Sequence, residues 1–399
     1  MNRVQHPGAA EARRRAGSDA LFDAASYSEW VRGAVRLREA DPDTAILFES
    51  TISEPTADLM EVVRDAFSLR VSPRYVSVFA DGNRYAVEAL ARRYGLSPNR
   101  LITTTGATSA LALALKALAG DGGHVLVEQP GFDILTRTAQ DAGARVEGFR
   151  RTARTFALDL DDLARRLTPR TRAVLVTNLH NPSGVLLDSA EIAAAAEVAG
   201  RVGAVLVVDE VYADFAAPPV GQGDAVPPQP ASRLADNIVS VSSLTKVFGL
   251  FALKFGWLAA APALVARIRE AAPDGDMGVS KLTHALAAHV LEAPEVFEAH
   301  WKRSLAQTRP QVARYARTMA EAGLIEGELP PYGCMFFPRI IGVDDTRSLS
   351  RRLYEHHGVL VTPGEYFDAP GHLRIGFGAD AASVAKGLER LETALRAGR

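Results

Sequence analysis

Through the middle of the chain, short apolar runs rich in β-branched residues alternate with longer stretches of helical length. The runs at 124–128, 144–149, 173–177, 204–208, 237–241 and 255–259 predict strands. The stretches at 134–142, 160–167 and 189–203 predict the helices between them. This order predicts an α/β fold, with a mostly parallel sheet sandwiched by helices. After about residue 310 the texture changes. A helical 311–322 leads to a strand-like 335–341, a helix near 348–357, strand-like 359–361 and 373–377, and a last helix over 381–397.

The pattern divides the chain into a mobile N-terminal arm over 1–20, a large domain over 56–310, and a smaller α+β domain made from 21–55 and 311–399. The Pro/Gly-rich stretch 217–230 predicts a long surface loop. The alanine-rich stretches 111–119 and 192–199 predict packed helices. No window reaches the eighteen or so apolar residues of a membrane span.

Composition narrows the function classes. A net charge of −2 and a pI near 6.5 give no basic footprint for nucleic acid. Cys334 is the one cysteine, so no internal disulfide is possible and a cytoplasmic location is expected. Nine histidines show no metal-ligand spacing, and no metal is expected. No Gly-x-Ser-x-Gly elbow is present, and the glycines at 120–123 are not followed by Gly-Lys-Ser/Thr.

Several polar residues sit where apolar runs end, and in open α/β sheets ligands bind at the carboxyl ends of strands. Lys246 lies in Ser-Ser-Leu-Thr-Lys-Val-Phe-Gly-Leu just past a strand. Asp209 closes Val-Leu-Val-Val-Asp, with Tyr212 three residues on. Asn181 lies in the turn-forming His-Asn-Pro-Ser-Gly. Thr105-Gly-Ala-Thr-Ser opens a helix whose N–H groups can bind an anion. Together these types match one chemistry, that of pyridoxal 5′-phosphate (PLP). It needs a lysine to form an imine, a carboxylate to keep the ring nitrogen protonated, donors at the phenolic oxygen, a flat group on the ring, and a phosphate cradle.

These segments, with Ser-Glu-Pro at 53–55, Pro-Gly at 363–364 and Arg-Ile-Gly-Phe at 374–377, resemble the class I/II aminotransferases of PLP fold type I over 51–377. The resemblance implies that Lys246 is the Schiff-base lysine and proton shuttle and that Asp209 pairs with the ring nitrogen. Asn181 and Tyr212 would bond the phenolic oxygen, and Phe132 would stack on the ring. Gly106, Ala107 and Thr108, with Ser243 and Lys254, would form the phosphate site. Arg374 would take the substrate carboxylate, near Ser53 and Asn181. Tyr75 would reach a partner subunit's phosphate in a homodimer with shared active sites.

Three departures stand out. Lys254 replaces the usual arginine, Ser53 replaces a glycine before Glu-Pro, and Tyr75 and Gly82 are widely spaced. The implied reaction is transamination between an L-amino acid and a 2-oxo acid. A lyase or other Cα reaction on the same fold is the alternative. A non-catalytic regulator would need a DNA-binding module ahead of Ser53, and the residues there are few. Asp274 and Asp276 fall where dicarboxylate-specific relatives place a second arginine; they read first as a solvated loop, and if they face the substrate they disfavour acidic side chains.

Overall fold

The structure, a computed structural model, describes residues 14, 18–68, 70–76, 82–217, 228–272 and 280–398. Most of the expected N-terminal arm, most of the 217–230 loop, the Asp274/Asp276 segment and residues 77–81 of the Tyr75–Gly82 tract lie outside the described residues. The end of the arm is a correction. Residues 18–22 are helical, and Ser18 and Asp19 bond Glu355 and Arg351, each at 2.5 Å.

The chain forms two compact units: residues 1–50, 182–184 and 304–399, and residues 51–181 and 185–303. In chain order, β1 (Ala45–Glu49) belongs to the first unit. The strands β2 (Leu101–Thr104), β3 (His124–Gln129), β4 (Arg145–Arg150), β5 (Thr171–Thr177), β6 (Val205–Asp209), β7 (Ile238–Ser243) and β8 (Gly256–Ala260) belong to the second. The first unit resumes with β9 (Ile325–Glu326), β10 (Met335–Phe336), β11 (Arg339–Ile340), β12 (Val359–Pro363) and β13 (Leu373–Phe377).

The larger unit is built on a seven-stranded sheet in the order β2-β8-β7-β6-β5-β3-β4. All its pairings are parallel except those of β8, which runs against both neighbours. The central strands are apolar on both faces because both are covered. Leu175, Val205 and Val207 point into one core with the helices Gly106–Ala119, Asp133–Asp141 and Pro262–Glu270. Val174, Val176, Leu206 and Val208 point the other way, into a core with the helices Leu160–Arg166 and Ser189–Gly200. This alternation fixes which way each strand end faces. Thr177 stands beside Asp209, and Asp209 beside Val241. Further along the same edge, Ser243 stands beside Gly256 and Gly256 beside Thr104.

The smaller unit carries a four-stranded sheet, β1-β12-β13-β10, under the helices Thr346–His357 and Ala381–Ala397. Two expectations are corrected. The 335–341 segment is two strands in two sheets, because Pro338 lacks the N–H that a continuous ladder needs. The break near residue 310 falls inside one helix, Glu295–Glu321, which contains Pro310. Arg309 donates to the carbonyls of Gly333 and Pro330, and Val312 and Tyr315 are buried, so packing overrides the proline.

Candidate active site

Lys246 follows β7 on a loop pressed against residues 51–53. Its Nζ donates to Thr51 Oγ1 at 3.2 Å, and its carbonyl accepts from the Ile52 N–H at 3.1 Å. The approach requires a glycine at 249, where φ is +71°. A Cβ there would stand 2.8 and 2.9 Å from the carbonyl oxygens of Ile52 and Ser53. The Lys246 amine lies 6.0 Å from the centre of the Tyr212 ring, which is buried and stacked near Phe215.

Asp209, at the end of β6, is buried and accepts from the Val211 N–H at 3.1 Å. Burial pushes its carboxyl up from 3.8 to about 6, against the pull of that N–H and of the Lys246 charge. Next to it, burial pushes Glu210 up to about 7. A buried carboxylate held mainly by one N–H is an incomplete site, and a cation beside it would complete it. A protonated ring nitrogen meets that need.

Asn181 is buried, and its N–H donates to Thr177 Oγ1 at 2.9 Å. Phe132 is half-buried at the start of the helix Asp133–Asp141. On the neighbouring strands, Gly106 opens its helix at φ +78°, and Ala107 and Thr108 present first-turn N–H groups. Gly256 permits this, since a Cβ there would stand 2.3 Å from the Gly106 carbonyl carbon and 2.5 Å from the Ala107 nitrogen. The backbone of Lys254, left-handed at φ +48°, borders the cluster, its carbonyl oxygen 3.9 Å from where a Gly106 Cβ would be, while its exposed side chain places Nζ 5.7 Å from the centre of the Phe251 ring. Ser243 is buried at the end of β7. These groups could hold a phosphate, with backbone dipoles, a hydroxyl and a cation. The larger unit therefore fits PLP at both ends, ring nitrogen and phosphate.

Not all expected residues join this cluster. Arg374 belongs to the other unit, where it is fully buried on β13. It donates to Tyr27 Oη and to the Phe48 carbonyl, between the rings of Tyr27 (4.6 Å) and Phe367 (4.9 Å). Ser53 is exposed, and its carbonyl accepts from His300 Nε2 at 2.8 Å. Tyr75 is 45% exposed, edge-on to Phe67. Sequence reading missed Thr51, Tyr27, His300 and the pair Glu128–Arg151. Glu128 could have been found, because it closes an apolar run as Asp209 does.

Fold and strand-end chemistry together fit a PLP-dependent enzyme. The model of the family "Aminotransferase class I and II" matches residues 51–391. A capreomycidine synthase of Streptomyces vinaceus is 30% identical over 80% of this chain and 81% of its own. A probable N-succinyldiaminopimelate aminotransferase of Mycobacterium tuberculosis is 29% identical over 85% and 83%. Among solved structures, the PLP-dependent cyclase OrfR is similar with a TM-score of 0.77 and 28% identity, over 94% of this chain and 98% of that one. The chain belongs to the class I and II aminotransferases, enzymes that use PLP to move amino groups between amino acids and 2-oxo acids.

Proposed function

We propose that this aminotransferase works through Lys246, which holds the cofactor covalently and then moves the substrate Cα proton. PLP, when bound, supplies an electron sink for a broken Cα bond. Asp209 keeps the ring nitrogen protonated, and Asn181 and Tyr212 donate to the phenolic oxygen. Phe132 covers the ring, while Gly106, Ala107, Thr108, Ser243 and Lys254 hold the phosphate. Arg374 grips the substrate carboxylate with two parallel contacts. The observation that carries this reading is the buried Asp209 carboxylate at the end of β6, beside β7, the strand that leads to Lys246, whose charge opposes the upward push of burial on that carboxyl.

The two units serve as the large cofactor domain and the small domain. A homodimer is the working form. Its support is the exposed apolar set Met60, Val71, Tyr75, Phe251 and Leu282, on segments at or near the helix Lys281–Glu292. Tyr75 would then serve a second copy's phosphate. The single, buried cysteine supports a cytoplasmic location.

A second reading has specific support, since a synthase and a cyclase are among the similar proteins. In it the same lysine and carboxylate break or make a different bond at or beyond Cα. One experiment separates the two. The PLP-loaded protein is mixed with a panel of single amino acids, and its absorbance and products are followed. Transamination bleaches the cofactor band and releases one 2-oxo acid per site, with the amino group retained until a keto acid is added. Release of ammonia, or a ring-closed product with the band restored, selects the second reading.

A further inference from the structure

Beneath the strand ends lies a buried ion pair that the proposed chemistry does not use. Glu128 ends the apolar part of β3, and Arg151 follows β4 beside it. Both side chains are 0% exposed. Arg151 Nε and a terminal nitrogen meet one Glu128 oxygen at 2.8 and 2.7 Å. Arg151 also donates to the carbonyls of Phe156 and Thr177, at 2.6 and 3.3 Å. The other Glu128 oxygen accepts from the Thr177 N–H at 2.8 Å and from its hydroxyl at 2.6 Å. That hydroxyl accepts in turn from the Asn181 N–H at 2.9 Å. Each bond in such a chain polarises the next.

A second branch runs through His180. Burial and the Arg151 charge push its ring well below the usual range, so it is neutral, and Nε2 donates to the Pro130 carbonyl at 2.9 Å. Pro130 leads directly to Phe132. Between them, Gly131 passes so close to Glu128 that a Cβ would stand 2.5 Å from its carbonyl oxygen. The ion pair thus ties down the Asn181 loop through Thr177, and His180, next to Asn181, ties that loop to the one with Phe132.

Stability alone is a poor reason to keep such a pair. Desolvating two charges can cancel their attraction, and packed apolar residues often serve as well. Local geometry is a better one. We propose that Glu128 and Arg151 are positioning residues: through Thr177 they fix Asn181 against the cofactor ring, and with it the adjoining His180 that bonds the Phe132 loop. The proposal rests on Asn181 donating to the phenolic oxygen.

The test uses the full-length, PLP-loaded protein and reads two quantities besides activity: the pH midpoint of its absorbance band and the dissociation constant for PLP. Asn181→Ala should raise the midpoint, since a donor to the deprotonated oxygen is lost. Thr177→Val should move it the same way by about half to one pH unit and weaken PLP about three- to ten-fold, and Thr177→Ser should restore both. If Thr177→Val does not fold, the paired replacement Glu128→Leu with Arg151→Met, which leaves no lone buried charge, must give the same upward shift. Asn181→Ala shifting the midpoint while folded Thr177→Val or the pair leaves it unchanged overturns the proposal. Asn181→Ala leaving the midpoint unchanged overturns instead the reading on which it rests, and the proposal with it.

Discussion

Replacing Asp209 with asparagine should make the cofactor-free protein more stable and the enzyme worse. In the folded chain the carboxyl is displaced from 3.8 to about 6, with burial as the main cause. At about 1.4 kcal/mol per pH unit, that displacement costs the folded state about 3 kcal/mol once the group is charged. Below pH 3.8 the group is protonated in both states and costs nothing. As pH rises from about 4 to about 6 the unfolded chain gives up its proton first, so stability falls and stays low above that window. Glu210, raised from 4.5 to about 7, adds a parallel fall. The difference between variant and parent therefore carries the test.

Asparagine is nearly isosteric and can still accept from the Val211 N–H. The cofactor-free Asp209→Asn protein should melt about 3–6 °C above its parent at pH 8, with the gap shrinking to about a third of that near pH 4.5. Thermal melting of both proteins across this range, without PLP, is the assay. No gain at pH 8, or a gain that does not shrink on acidification, would refute the reasoning. With PLP loaded the ranking of function should reverse if Asp209 serves the ring nitrogen as proposed, because the substitution removes that anion.

Lys246→Ala should still bind PLP noncovalently but lose turnover by at least about 10²–10⁴-fold, the range for a positioned proton carrier, as a single-turnover assay would record. Lys254→Ala should weaken PLP about ten- to a hundred-fold by equilibrium dialysis and leave amino-acid preference intact, while Lys254→Arg is tolerated. If Lys254→Ala instead changes which amino acid reacts, the residue belongs to the substrate pocket. Arg374→Lys should raise KM for every amino acid at least ten-fold by losing the two-pronged contact, and Tyr27→Phe should do so more weakly. Unchanged KM in Arg374→Lys would remove Arg374 from the carboxylate role.

Much of the larger unit was legible because its strands are short, apolar and separated by helices, and because its candidate polar residues stand where those runs stop. Asp209, Lys246 and Asn181 could be picked out for that reason. Glu128 shows the same pattern but was passed over, since its meaning comes from Arg151 and Thr177 on neighbouring strands, which no local window contains. Tyr27 lies 347 positions from Arg374, so their pairing is a product of the fold alone. Pro310 and Pro338 mark the other limit. The pattern put a break near Pro310 and none at Pro338, yet tertiary packing carries the helix through Pro310 while Pro338 does split the strand.

The account's central claim is that Lys246 carries the cofactor. Borohydride reduction of the PLP-loaded protein, followed by proteolysis and mass spectrometry, tests it most directly. The reduced cofactor should be found on the peptide containing Lys246, at about one per chain. Its recovery on Lys254 or any other lysine, or its absence from every peptide while the protein still turns over an amino acid, would contradict the account.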